Sequence, residues 1–87
     1  MSYICDGFTA SGEEVIVTLN DGAYKAIINR QEVEVPNVRR LRDGGTTILY
    51  LANSRQIKFP HSIKDPDRTP RLDGERIEQR GTEEAQE

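Results

Sequence analysis

The sequence predicts an all-β fold: a small antiparallel barrel of five or six short strands, followed by a disordered acidic C-terminal tail. Three observations carry this. A tight hairpin signal sits at Asp21-Gly22 between two apolar runs. Further short β-rich runs follow, separated by Gly, Asn, Asp and Pro, with no long stretch of helical period. Sizeable apolar residues then almost vanish after Lys64, where only Leu72 and Ile77 remain.

The hairpin is the firmest element. A Gly after Asp supplies the positive φ that a primed two-residue turn needs. That loop sets Leu19 opposite Tyr24, Val17 opposite Ala26 and Val15 opposite Ile28, all on one face because side chains alternate along a strand. A three-residue loop would place Val17 opposite Lys25 and split the apolar set. The opposite face carries Ile16 and Ile27 as a pair beside Thr18 and Lys25. One face fully apolar and one half apolar suits a sheet curled into a barrel.

The other elements follow in chain order. Ser2 to Cys5 is a short first strand, broken by Gly7 and Ala10-Ser11-Gly12, with Phe8 as a lone anchor between them. Asn29-Arg30-Gln31 reads as a turn. Glu32–Val35 alternates, with Val33 and Val35 inward, and Pro36 ends it because proline cannot donate to a ladder. Asn37–Gly45 has two readings: a helical turn from Pro36, on the Val38/Leu41 spacing, or a strand over Arg39–Arg42 closed by Asp43-Gly44-Gly45. Thr46–Ala52 has strong strand propensity. With Asn53-Ser54 as a two-residue loop, Tyr50 faces Ile57 and Ile48 faces Phe59. Leu49 and Leu51 then fall on the outer face beside Lys58 and Gln56. Pro60 stops the last strand and Ile63 tucks back as a cap. This many short strands in so short a span points to an SH3-like or Sm-like barrel.

Domain organisation follows from the apolar distribution. Apolar residues make up 34% of the chain, below the usual roughly 45–50% that counts Gly. Residues 1–63 form the predicted barrel domain, and 64–87 a flexible charged tail whose ordering entropy burial would not offset. One exception inside that tail has two forms: a hairpin closed at Leu72-Asp73-Gly74-Glu75, or a docking of Ile77 on the barrel. A domain this small buries only about 60% of its unfolded surface, so oligomerisation or a partner is expected to support it.

Several function classes fall away. The one histidine, His61, lies next to Pro60 in a loop and leaves no serine or cysteine nucleophile with a base. His61, Asp65 and Asp67 match no metal-loop spacing. Gly44-Gly45 lacks the Lys-Ser/Thr and helix of a phosphate loop. No catalytic residue, metal or cofactor is therefore assigned, and an enzyme is not expected. The single Cys5 suits a reducing compartment, and no 18-residue apolar run or basic-then-apolar leader is present, so the expected location is cytoplasmic, with no membrane partner.

Charge is more informative than its net value of −3. Residues 1–24 carry four acids and no Lys or Arg. Residues 25–71 carry ten Lys or Arg against five acids, and residues 72–87 carry six acids against two arginines. A basic middle lies between acidic ends.

Two functions are expected from this. The first is a non-catalytic protein-interaction module, a small regulator, inhibitor or accessory subunit. It would bind a protein partner or another copy through the outer apolar pairs Ile16/Ile27 and Leu49/Leu51. The alternative is an RNA- or DNA-binding barrel whose basic loop patch is Arg39, Arg40, Arg42, Arg55 and Lys58. The stretch Val15-Ile16-Val17-Thr18-Leu19-Asn20-Asp21-Gly22 is similar to the first motif of Sm-like RNA-binding proteins, an apolar strand ending in Asn/Asp-Gly. The chain departs from that family in lacking an N-terminal helix and a basic-Gly second motif, where Gln56-Ile57-Lys58-Phe59 stands instead. No RNA-contacting residue is carried over.

Overall fold

The structure, a computed structural model, describes residues 2–80. Nine strands and no helix occur among them: β1 (Ser2–Thr9), β2 (Glu14–Asn20), β3 (Ala23–Ile28), β4 (Gln31–Val33), β5 (Asn37–Arg40), β6 (Thr47–Tyr50), β7 (Gln56–Phe59), β8 (Arg71–Leu72) and β9 (Glu75–Gln79). They form one antiparallel sheet in the order β4-β3-β2-β1-β9-β8-β7-β6-β5. That order is a meander closed on itself, since the first and last strands pair with each other. Its one break lies between β4 and β5, which three residues connect. The step from Val33 to Asn37 spans at most about 14 Å, so the sheet has to curl strongly to bring its two edges together. The result is the barrel-like all-β fold expected, a half-barrel with more strands than the five or six expected.

The first hairpin forms in the register that its turn dictates. Asn20 pairs with Ala23, Leu19 with Tyr24, Val17 with Ala26 and Val15 with Ile28. Asp21 and Gly22 both have positive φ, 54° and 79°, which is the type I′ geometry that matches strand twist. Val15, Val17, Ala26 and Ile28 are buried in the core, with Tyr24 packed against it. Two more loops of the same kind follow, Asn29-Arg30 between Ile28 and Gln31, and Asp73-Gly74 between Leu72 and Glu75. All four of their residues have positive φ.

Four expectations need correction. First, β1 does not stop at Gly7. It continues to Thr9 because Gly7 lies flat against β9, opposite Gln79. Second, of the two readings of Asn37–Gly45 the strand is the one that forms, over Asn37–Arg40 rather than Arg39–Arg42, since β6 offers it a ladder from Tyr50 to Thr47.

Third, the β6–β7 hairpin closes over three residues, not two. Leu49 pairs with Ile57 and Ile48 with Lys58, Leu51 donates to the Arg55 carbonyl, and Ser54 takes a left-handed φ of 72°. A one-residue slip exchanges the faces of a strand. Leu49 and Leu51 therefore point into the core, 0% and 4% exposed, and Tyr50 turns outward. These two leucines are core packing, not an outer contact pair.

Fourth, residues 64–79 belong to the fold. β9 pairs with both β1 and β8, and Leu72 and Ile77 are fully buried. The domain does not end at residue 63, while the acidic stretch from Thr82 to Glu87 lies outside the described residues. Ile63 does not cap the barrel but is 81% exposed.

Two arginines tie the sheet's ends. Arg55 clamps Glu13 with two bonds, 2.6 and 2.8 Å, and donates from Nε to Asp73 at 2.7 Å. Arg80 donates to Asp6 and Glu14, both at 2.6 Å, with its guanidinium 4.8 Å from the Phe8 ring centre. Arg55 holds the Glu13 carboxyl below its ordinary range, and Asp73 is also lowered, because the opposing effect of burial is outweighed by the Arg55 bond, the Gln56 amide and the Arg55 charge together. A folded-state pKa below the unfolded value gives stability that is complete above the unfolded value, about pH 4, and is lost as pH falls through the folded one. Replacing Arg55 by Met is therefore expected to cost about 1 kcal/mol at pH 7, discounted for partial exposure, and to lessen the further loss of stability below pH 4. Urea unfolding of both chains at pH 7 and pH 3 checks this; an equal difference at both would refute it.

Candidate binding surfaces

The first surface is the break in the sheet. Gln31 to Arg40 is one bent run whose first part pairs with β3 and whose second part pairs with β6. The switch falls at Glu34–Pro36, where the Glu34 carbonyl already accepts from the Ala52 N–H at 2.9 Å. Pro36 suits such a corner because it has no N–H to leave unpaired. The pairing of β3 with β4 stops at Ala26–Val33. The next hydrogen-bonded pair in that register would be Tyr24 with Val35. In its place a groove of about 430 Å³ opens, lined among others by Thr18, Tyr24, Lys25, Val33, Val35 and Pro36.

Register also says where the backbone of β3 points. Residues flanking a two-residue loop exchange both hydrogen bonds, and the direction then alternates. Ile28 bonds towards β4, and so do Ala26 and Tyr24. Ala23, Lys25 and Ile27 bond towards β2, as does Asn29, whose N–H reaches the Glu14 carbonyl at 2.9 Å. The N–H and C=O of Tyr24 therefore face the groove, above the half-buried Tyr24, Val33 and Val35 side chains that pack on the core.

The second surface is a line of residues standing directly opposite one another across five strands. Arg39 on β5 is opposite Ile48, Ile48 opposite Lys58, Lys58 opposite Arg71, and Arg71 opposite Arg76. Paired residues share a face, so four cations flank Ile48 on the outside of the sheet. Tyr50, two residues along β6, shares that face and is half-buried. Like charges directly opposite are unfavourable by roughly 0.2–1 kcal/mol per pair. Asp67 offsets part of this, its Oδ2 accepting from Arg71 and Arg76 at 2.9 Å each. The amide and hydroxyl of Thr69, with Arg76, hold the Asp67 carboxyl far below its usual range. Arg39 and Lys58 are exposed and have no ion pair among the described residues.

The expected site residues divide accordingly. Ile16 and Ile27 do pair on the outer face but are half-buried. Arg40 and Arg42 are exposed, Arg40 on the opposite face of β5 from Arg39. Arg55 does not join the basic set, because Glu13 and Asp73 occupy its guanidinium. Arg71 and Arg76 were not singled out, although the turn signal at Asp73-Gly74 already set residues 71 and 76 across from each other. Nothing in the local pattern marked the groove, which exists only where β4 leaves β3.

Groups with chemical potential are otherwise engaged. Burial, aided by Asp6, pushes the Cys5 thiol up to about 12, too high to supply thiolate near neutrality. His61 Nδ1 shares a 2.8 Å hydrogen bond with the Gly44 carbonyl. Among the described residues no cluster of His, Cys, Asp or Glu is placed to hold a metal, and no helix is long and apolar enough to cross a membrane.

Comparison with family models, with curated proteins and with solved structures gives no match. The class that the fold defines is thus an all-β half-barrel with an open seam and a basic outer row.

Proposed function

We propose that this protein is a non-catalytic protein-interaction module, a small regulator or accessory subunit, that takes an extended segment of a partner protein at the seam. The observation that supports this is the backbone of Tyr24, which by register faces an apolar-floored groove and which no strand among the described residues pairs on that side. An added strand gains main-chain hydrogen bonds from such an edge, and pockets for alternate side chains give selectivity. The groove floor would take an apolar side chain of the segment, and Lys25, Glu32 and Glu34 on the rim would favour charged neighbours. A small domain also gains stability from a strand that fills its seam. The buried thiol of Cys5 fits a cytoplasmic setting, where it stays reduced.

Selection from a displayed library of short random peptides tests the reading. The recovered peptides are expected to bind in extended form and to slow hydrogen exchange at the Tyr24 amide. Binders that leave the amide signals of Tyr24 and Val35 unchanged would overturn it.

A further inference from the structure

We infer that the row Arg39, Lys58, Arg71 and Arg76 is a second binding surface, for the phosphate backbone of a single-stranded nucleic acid. This goes beyond the seam and does not depend on it.

The argument begins with arrangement. Strands stand about 4.8 Å apart, so the row crosses four spacings, roughly 19 Å, from Arg39 to Arg76. The pairings place its cations on one face of the sheet. A stable fold gains nothing from setting Lys58, Arg71 and Arg76 directly opposite one another. The one carboxylate shared by Arg71 and Arg76 leaves Arg39 and Lys58 without an ion pair among the described residues, although Asp43 and Asp65 line the same pocket as Lys58. A polyanion compensates the whole row at once. A lone phosphate would meet only one or two of its members.

The surroundings favour nucleic acid over an acidic peptide. Ile48 lies within the row, and Tyr50 lies beside it on the same face. Bases laid against apolar and aromatic side chains, with phosphates against cations, are the general means of holding single strands. The row runs across the face of the sheet, which presents side chains rather than the backbone edge that an added peptide strand would need.

Fluorescence anisotropy with a labelled oligo-dT tests the inference on the full chain. Binding is expected to weaken with salt with a logarithmic slope of about −2 to −3, the value for three or four phosphate contacts on a single strand. Lys58→Glu and Arg39→Glu are each expected to weaken binding about tenfold or more. Neither residue holds an ion pair among the described residues, so folding is expected to be retained, and a thermal melt of each variant checks this. Arg30→Glu makes the same charge change on the β3–β4 turn, where Arg30 is 88% exposed and lies 3.5 Å from Glu14; with its fold checked by the same melt, it is expected to leave binding nearly unchanged. Absence of binding at low salt overturns the inference. So does equal loss with Arg30→Glu, which would mean bulk charge alone, or tighter binding to poly-glutamate than to the oligonucleotide. Peptide binding at Tyr24 is read separately, so failure at either surface leaves the other standing.

Discussion

A chain ending at residue 63 is expected not to fold. It keeps the hairpin at Asp21-Gly22 and most of the apolar residues, but it lacks β8 and β9. Leu72 and Ile77 leave the core with them, each fully buried and each worth about 1.5–3 kcal/mol of burial. β1 loses its partner on one side and β7 loses its own. The two parts of the sheet, β4 to β1 and β7 to β5, then have no strand joining them. Arg55 loses Asp73, and Arg80, which ties Asp6 and Glu14, is gone. Against a total stability of about 5–15 kcal/mol for a small domain, these losses are decisive. Circular dichroism through a thermal ramp is expected to show a sigmoidal transition for residues 1–80 and none for 1–63. A cooperative transition of the shorter chain within a few degrees of the longer one would disprove the role given to β9.

The second large effect is expected at Gly7. Its Cα lies against the backbone of β9, and a methyl group built there falls on the Glu78 carbonyl oxygen and carbon. These are backbone atoms in a paired strand and cannot swing aside as a side-chain tip does. Overpacking usually costs about 1–3 kcal/mol, and Gly7→Ala belongs at the upper end. For a domain of this size 1 kcal/mol moves Tm by about 4–8 °C, so a fall of roughly 12 °C or more is expected. Hydrogen exchange gives the more specific readout. Protection should be lost first where Gly7, Phe8 and Thr9 meet Gln79, Glu78 and Ile77, while the β2–β3 ladder keeps its own. A variant within about 1 kcal/mol of the parent, or uniform loss of protection, would refute the argument.

Both effects sit where the chain's ends meet, and local pattern is silent there. Gly7 reads as a strand breaker because glycine weakens an isolated strand. In the fold it is the residue that lets two backbones approach. Leu72 and Ile77 read as stray apolar residues in a charged tail. They reach the core because β9 pairs with β1 across some seventy positions of sequence, a contact that no window of neighbours contains.

The two hairpins show the same boundary at shorter range. Asp21-Gly22 suits a two-residue loop at positive φ, and a three-residue loop would split the apolar set, so register and inward face follow from turn and pattern together. Asn53-Ser54 is compatible with two loop lengths. The three-residue loop wins, with Ser54 in the left-handed region, because it puts Leu49, Leu51 and Ile57 into the core together. That choice removes Leu49 and Leu51 from the outer surface and brings Ile48 and Tyr50 onto it, beside Lys58.

What the sequence determined by itself is therefore the all-β class, the register of the first hairpin and the inward set Val15, Val17, Ala26 and Ile28. Turn chemistry and period-two alternation are local, and they act before any long-range contact forms. Only the tertiary structure decided that the sheet closes through β1 and β9, that Arg55 is bound up between Glu13 and Asp73, and that Arg71 and Arg76 join Arg39 and Lys58. It also decided that a seam opens beside Tyr24. Each of these depends on which distant strands become neighbours, and the curl of the whole sheet, rather than the propensity of any stretch, makes that choice.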